Sequence, residues 1–435
     1  MRQRSQDTGD VLLADLHIHS RFSRACSRAI TIPKLAAWAK VKGLRLLGTG
    51  DFTHPAWMQE LKDTCEERDG LLWHTPRRTV DTPVGTLPIP TSNNALPFLL
   101  SVEVSNIYRE ADKTRKVHTV ILAPDLATAD SISHHLQSKG KLASDGRPIL
   151  GSYSCRQLAK DMHEISPDIE LIPAHIWTPW FSALGSKSGF ESIAACYGEA
   201  PNIHVIETGL SSDPVMNRGV HSLDKYGIVS FSDAHSFWPW KLGREATAFR
   251  LHPQRISYPA ILRAIRKQDI AFTVEVDPGF GKYHFAGHRR CGVRMDGPQS
   301  AEVKGICPVC HKPLTEGVLQ RVEQLAQEGQ AEREKKGKHR AAMQDVKTVP
   351  PFRQVLPLSE IIAAFHSTTP STKKVWNIYN RVIAHCGDEF SALLEKQDFS
   401  QISLHPTLAA FIDKNRLGKV AVEAGYDGVF GKIQP

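Results

Sequence analysis

Short hydrophobic stretches of strand length recur along the first two thirds of the chain and alternate with stretches of helical pattern. Val11–Leu13 and Leu44–Leu47 are two of the strand candidates. Between them, Lys34–Lys42 has helical character, with Thr31 as a capping residue before it and Gly43 as a stop after it. Strands that alternate with helices favour a parallel β/α architecture over a β-sandwich.

Most of these strand candidates end in residues that can bind a metal ion. His17 and His19 follow Val11–Leu13, and Asp233 and His235 follow the strand candidate of Ile228–Phe231. Residues two apart on a strand face the same side and can reach one ion. Further candidate ligands beside such strands are Asp51, His54, Glu103, His118, His175 and Glu207. Because strand ends converge on one rim in β/α barrels, the pattern predicts a multinuclear metalloenzyme.

The candidates differ in the role we expect of them. Glu103 can bridge two ions, since a carboxylate offers one oxygen to each. Asp233 is expected to orient or deprotonate the attacking water, and His235 to act beside it. Glu207 is either a further ligand or a residue that orients one. Two or three clustered Zn, Mn or Mg ions would stabilise the negative charge of a phosphoester transition state.

A second group of candidate ligands lies further along the chain. Cys307 and Cys310 form a C-x-x-C pair, and His288 and Cys291 form an H-x-x-C arm upstream. This spacing predicts one structural zinc with four ligands, in which His284 or His311 could take the place of His288. The other five cysteines are scattered and are expected to be reduced thiols.

Charge and aromatic residues bear on the partner. The net charge is +8 and the pI is about 9.0, which favours a polyanionic partner but also fits ordinary surface charge on 435 residues. Candidate DNA contacts are Lys187, Lys282, Arg289 and Arg290, together with Trp177 and Trp180 in the loop after His175. The alternatives are solvated charges for the basic residues and local packing for the aromatic ones.

The motifs in the first part resemble those of the polymerase and histidinol phosphatase (PHP) superfamily. They are Asp15-Leu16-His17-Ile18-His19, Gly50-Asp51-Phe52-Thr53-His54, Val102-Glu103, His118, Pro173-Ala174-His175 and Ser232-Asp233-Ala234-His235. The resemblance implies a distorted seven-stranded β/α barrel with a trinuclear metal centre that cleaves phosphoesters. Where the superfamily usually has Thr-Asp-His, this chain has Thr49-Gly50-Asp51, so Asp51 is expected to replace the histidine, with His54 a further candidate ligand.

The second part is similar to a DNA repair nuclease of the same superfamily. The similarity rests on Tyr283-His284, Gly287-His288-Arg289, Thr315-Glu316-Gly317-Val318-Leu319 and Gly425-Tyr426-Asp427-Gly428. It implies damaged DNA as the partner, with recognition of uracil, hypoxanthine, xanthine and abasic sites and cleavage 5′ to the lesion. Replication or repair proteins are further candidate partners. The rival functions are a PHP phosphatase for a small phosphomonoester and a catalytically silent DNA-binding module.

These features predict three domains. We expect a PHP-like catalytic barrel at 11–277, a small zinc-binding module with the helix or linker after it at 278–345, and a C-terminal helical domain at 346–435. No apolar run approaches the ~20 residues that cross a bilayer, and Met1–Asp10 lacks the apolar core of a signal peptide. A cytoplasmic protein without a membrane partner is therefore predicted.

Overall fold

The computed structural model describes residues 11–89, 95–252, 255–335 and 349–435, which form a mixed α/β fold. Of the predicted zinc-binding module with its helix or linker at 278–345, residues 336–345 lie outside the described residues. Within the described part of the chain, none of the helices has the length and apolar character needed to cross a membrane.

Strands occur along the whole described chain. They are β1 Leu12–Asp15, β2 Leu46–Gly48, β3 Glu66–Arg68, β4 Leu71–His74, β5 Thr79–Thr82, β6 Gly85–Pro88, β7 Leu96–Leu99, β8 Ser101–Glu110, β9 Lys113–Leu122, β10 Ile149–Gly151, β11 Glu170–Pro173, β12 Val205–Glu207, β13 Gly227–Val229, β14 Ala246–Phe249, β15 Ile270–Glu275, β16 Ala286–His288, β17 Val293–Met295, β18 Phe352–Gln354, β19 Ala421–Glu423 and β20 Lys432–Gln434.

The largest sheets carry the site. One has eight strands in the order β18-β15-β14-β1-β2-β7-β4-β3, a second has four in the order β10-β8-β9-β11, and β12 pairs with β13. β1, β2 and β7 are mutually parallel neighbours, as are β12 and β13. A parallel bridge between Ile18 and Ala234 links the ends of β1 and β13. This bridge brings the His17–His19 and Asp233–His235 pairs to the same rim.

The parallel pattern is interrupted where two strands meet at a tight turn. β8 and β9 form an antiparallel hairpin of ten residues each, joined at Ala111 and Asp112. A turn this short can connect only antiparallel strands. His118 therefore lies within the long strand β9, opposite Ser105, rather than at its beginning as the sequence suggests.

The helices surround these sheets. They are α1 Ile32–Lys42, α2 Pro55–Thr64, α3 Leu126–Leu136, α4 Cys155–Ile165, α5 Ile193–Tyr197, α6 Pro214–Arg218, α7 Tyr258–Arg266, α8 Gly297–Glu302, α9 Val318–Lys335, α10 Leu358–Phe365, α11 Lys373–Cys386, α12 Glu389–Leu394 and α13 Pro406–Arg416. The predicted capping of α1 is present, because the Thr31 side chain accepts from the Lys34 N–H and Gly43 has φ 95°.

The C-terminal helices pack on the loop that follows the Asp233–His235 pair. Nζ of Lys42 in α1 donates to the carbonyl of Pro239 at 2.8 Å and to Oε1 of Glu389 in α12 at 2.7 Å. The rings of Trp238 and Trp376 lie 5.6 Å apart. β18 also pairs with β15 of the large sheet, so the sheet continues past the predicted boundary at residue 346.

Candidate metal centre

Glu103 lies at the centre of a buried group of histidines. Its Oε1 is 2.8 Å from Nδ1 of His118 and 3.0 Å from Nε2 of His175. Nε2 of His17 lies 3.5 Å from the same oxygen, and Nε2 of His19 lies 3.4 Å from Oε2. Glu103 can therefore offer its two oxygens to different ions, as the sequence predicts.

Two sets of side chains in this group can each hold a metal ion, with ligand atoms that all lie within 4.8 Å of one another. One set is His17, His19, Glu103 and Asp233, and the other is Glu103, His118 and His175. Nε2 of His17 is buried and has no hydrogen-bond partner among the described residues. Buried nitrogens normally have a hydrogen-bond partner, so this unpaired nitrogen is suited to bind a cation. The donor set suits a divalent metal.

The surroundings of the carboxylates in this group favour their ionised form. Burial raises the pKa of Glu103, but the charges of His118 and other cations around it hold the pKa well below its usual value. Burial also raises the pKa of Asp233, while the charge of His235 and a hydrogen bond from His19 lower it more strongly. Ionised carboxylates are the form that binds a cation.

Protons compete for the same sites. Burial lowers the pKa of His17, but the charge of Glu207 contributes to a net shift well above the usual value. The pKa of His19 is raised in the same way by Asp51, against the effect of burial. A metal ion must displace these protons, so its affinity is expected to fall as the pH falls.

Asp51 and Glu207 each accept a hydrogen bond from Nδ1 of one of the histidines. Oδ1 of Asp51 accepts from Nδ1 of His19 at 3.0 Å, and its Oδ2 accepts from Oγ of Ser20 at 2.6 Å. Oε1 of Glu207 accepts from Nδ1 of His17 at 2.9 Å. Both carboxylates leave the opposite ring nitrogen directed into the cluster, so both orient a histidine. Asp51 lies outside both sets of candidate ligand atoms, and its role as a direct ligand stays a prediction.

His54 and His235 lie beside the cluster but outside both sets of ligand atoms. The ring of His54 stacks on Phe22, with centroids 4.1 Å apart. Nδ1 of His235 is 2.9 Å from the carbonyl oxygen of Asp233, and its ring centroid is 4.7 Å from that of His19. The ligand role of His54 and of His235 stays a prediction.

Several site residues have an unusual backbone conformation. φ is 49° at Asp51, 30° at His175 and 47° at Asp233. Positive φ is uncommon outside glycine and tends to cluster at functional sites. Gly50 has φ 60°, and a Cβ there would lie 2.4 Å from the carbonyl oxygen of Ile18. The glycine of the altered motif is thus required by close packing.

Two further residues support the cluster: Arg147, which the sequence pattern does not mark, and Asp15, which opens the first motif. Nη1 of Arg147, in the loop before β10, donates to Oε2 of Glu103 at 3.0 Å. No strand-end or periodic signal marks this arginine. Asp15 accepts from the N–H of Ser232 at 3.0 Å and from the N–H of Gly243 at 2.9 Å. It thereby fixes both ends of the loop that carries Asp233.

The second candidate metal site is formed by two turns. His288 and Cys291 lie in the β16–β17 hairpin, and Cys307 and Cys310 lie between the bridged residues Ile306 and Pro313; the four ligand atoms are within 4.8 Å of one another. Sγ of Cys310 is 3.3 Å from Nδ1 of His288. Desolvation raises the pKa of Cys307, but backbone hydrogen bonds from Cys310 and Val309 outweigh it and lower the pKa to about 6. The structure selects His288 over His284 and His311 as the fourth member.

The predicted DNA contacts divide by exposure. Trp177 is fully buried and its indole donates to Oδ1 of Asn217 at 2.9 Å, so local packing is its role and the prediction of a DNA contact is wrong. Trp180 is 38% exposed and packs against Tyr283. The remaining predicted contacts, all exposed, are Lys187, Lys282, Arg289 and Arg290.

The chain is a mixed α/β protein with two candidate metal sites, one where several strand ends meet and one in a small module. The chain resembles endonuclease Q over nearly its whole length. It superposes on the lesion-specific endonuclease PfuEndoQ from Pyrococcus furiosus with a TM-score of 0.79 and 29% identity, over 98% of this chain and 95% of that one. For endonuclease Q bound to a 27-mer duplex with an abasic lesion at the active site, the TM-score is 0.80 at 29% identity, over 98% and 96%.

Matches to sequence relatives cover different shares of the chain. Residues 357–419 match the family described as the MJ0043 C-terminal domain. The uncharacterized protein YqxK of Bacillus subtilis is 27% identical over 98% of this chain and 99% of its own length. The uncharacterized protein MJ0043 of Methanocaldococcus jannaschii is 31% identical over 261 residues. That match spans 59% of this chain but only 31% of the M. jannaschii protein.

Proposed function

We propose that this chain is a metal-dependent endonuclease that cuts DNA at deaminated bases and abasic sites, on the 5′ side of the lesion. The observation that carries the proposal is the buried Glu103 cluster, in a chain that resembles endonuclease Q from end to end. We further propose that the sheets around this cluster form a PHP-like barrel at 11–277, and that the Cys307 cluster holds a structural zinc.

In this proposal the two ligand sets hold divalent ions that share Glu103. Such ions would supply positive charge to the scissile phosphate and lower the pKa of water. Asp233 lies at the more exposed edge of the cluster, with a side chain 29% exposed, where its carboxylate can orient the attacking water and accept its proton. Arg147 can donate to a phosphate oxygen, because its guanidinium lies beside Glu103 and one of its nitrogens already donates to Oε2 of that residue.

The test is the nicking of end-labelled duplexes that carry one uracil, one hypoxanthine, one abasic site or no lesion, with and without chelator. We expect one cut 5′ to each lesion, little cutting of the undamaged duplex, and no cutting with chelator. Asp233→Asn should abolish nicking and leave lesion binding largely intact. Normal nicking by this variant would contradict the role of Asp233.

A chromogenic phosphomonoester serves as the discriminating substrate. Turnover of that ester without nicking of any duplex would favour the rival small-molecule phosphatase. Tight binding of damaged DNA without cutting in any divalent metal would favour the silent binding module. Either result would replace the proposed function.

A further inference from the structure

An exposed aromatic ring in the C-terminal tail lies between two lysines from other parts of the chain. Phe430 is 41% exposed, and Nζ of Lys282 lies 4.6 Å and Nζ of Lys241 lies 5.5 Å from its ring centroid. Lys241 belongs to the loop that follows His235. Three separate segments therefore meet at this ring: the loop after the metal centre, the start of the zinc module and the tail.

The tail is held in this place by specific contacts. The N–H of Gly428 donates to the carbonyl of Lys282 at 2.9 Å, and the ring of Phe430 lies 6.2 Å from that of Phe280. Asp427 accepts from the N–H of Arg289 at 2.7 Å and from Oγ1 of Thr315 at 2.6 Å. The exposed face of Phe430 is thus presented on an ordered support.

The charges around the ring favour an anionic partner. Burial and the positive charge of Arg244 lower the pKa of Lys241 to about 8; Lys282 adds to this effect, while Glu360 opposes it. The repulsion between neighbouring ammonium groups is relieved when a phosphate anion binds between them. An exposed aromatic ring among cations is the combination that binds unstacked nucleotides, because bases stack on the ring and phosphates meet the lysines.

We propose that Phe430, Lys241 and Lys282 form a platform on which one unstacked base of the DNA strand stacks, with its flanking phosphates at the two ammonium groups. In the free protein the two ammonium groups lie near the ring, within 5.5 Å of its centroid. Their stems are flexible, and phosphate is a stronger partner for an ammonium group than an aromatic face, so both can turn to the backbone as the base arrives. The platform rests on the proposed function and gives the tail a part in it.

The experiment measures the affinity for an abasic duplex in chelator, nicking in metal, and the fluorescence of 2-aminopurine placed in turn at each position near the lesion. Phe430→Ala is expected to weaken binding about 10-fold, within the range for loss of one stacked base, and to abolish the 2-aminopurine quenching at one position. Phe430→Trp should retain both. Lys241→Ala and Lys282→Ala should each reduce the salt dependence of binding by about one counterion.

Matched controls come from elsewhere on the surface. Leu417→Ala removes an apolar side chain that is 54% exposed, and Lys225→Ala removes a lysine 5.1 Å from the Tyr226 ring. Both should bind as the wild type does. Phe430→Leu keeps an apolar contact with Phe280 and should still lose the quenching, which separates stacking from folding of the tail.

The failures of the two proposals are distinguishable. Wild-type protein that cuts the abasic duplex, with Phe430→Ala and Phe430→Leu equal to it in affinity and quenching, would overturn the platform and leave the endonuclease intact. Wild-type protein that neither binds nor cuts the duplex would overturn both.

Discussion

The two candidate metal clusters are built in opposite ways. The ligands around Glu103 come from strands and strand ends spread over most of the first part of the chain, and all but Asp233 are buried. Those around Cys307 come from two turns close together in sequence and are mostly half-buried. The first ligand set includes the carboxylates of Glu103 and Asp233, and Arg147 donates to Glu103, whereas the second set consists of one imidazole and three thiols. A shared carboxylate suits ions that take part in chemistry, and a set of one imidazole and three thiols suits an ion that holds a fold together. The comparison supports the proposal that one cluster hydrolyses DNA and that the other stabilises the small module.

The largest effect is expected from Glu103→Gln. An amide cannot replace the ionised carboxylate that both ligand sets share, so nicking should fall by about 10³-fold or more, which corresponds to about 4 kcal/mol of transition-state stabilisation. Metal analysis should show loss of ions from this cluster, with one zinc retained. Glu275→Gln, at another buried glutamate outside both ligand sets, is the control. Equal loss in the two variants would contradict the central place of Glu103.

Asp51→Asn tests whether Asp51 orients His19 or binds the ion itself. If it orients the ring, metal affinity should fall about 10- to 100-fold, and excess divalent metal should restore nicking. Glu207→Gln, which acts on His17 in the same way, should behave alike. Loss of activity that no metal concentration restores would place Asp51 among the direct ligands. The measurement is nicking against free metal concentration.

Cys307→Ser tests the role of the second cluster. One zinc should be lost from each chain, because the remaining ligands no longer form a tetrahedral set. Affinity for lesion DNA is expected to fall about 10-fold, while ions stay bound at the Glu103 cluster. Cys386→Ser, at a half-buried thiol in α11, should change neither quantity. Loss of all ions together would show that the clusters are not independent.

The smallest effect on nicking is expected from Lys42→Met. Removing this buried ammonium leaves the Glu389 carboxylate unpaired, which should cost about 3–5 kcal/mol of unfolding free energy. Nicking by the folded variant should fall only severalfold. The loss of the hydrogen bond from Lys42 to the Pro239 carbonyl loosens the loop after His235 but removes no candidate ligand. The control is Lys62→Met, whose exposed pair with Asp130 should contribute at most about 1 kcal/mol. Thermal unfolding and nicking at a temperature where both variants are folded provide the measurements.

The sequence predicted membership of the site better than roles within it. His17, His19, Glu103, His118, His175 and Asp233 were expected in one site, and the structure brings them together. Alternation along a strand and convergence of strand ends explain this success. The orienting role of Asp51 depends on the distance to His19, which no spacing in the sequence reveals.

Other features depend on tertiary contacts from the start. Arg147 lies in an irregular loop, so no periodic pattern links it to Glu103. Trp177 lies two residues after His175, but that histidine has a left-handed conformation, with φ 30°, and the indole of Trp177 is buried beside Asn217. The sequence does not mark the β8–β9 hairpin, because its turn, Ala111-Asp112, has no glycine or proline.

The most direct test of the account is nicking of an abasic duplex by chelator-stripped protein as divalent metal is added back. We predict no nicking in the stripped protein, and a single cut 5′ to the lesion that appears as about two ions bind per chain in addition to the zinc of the Cys307 cluster. Full nicking by the stripped protein, or none at any metal concentration, would contradict the assignment of the Glu103 cluster as the centre that cuts damaged DNA.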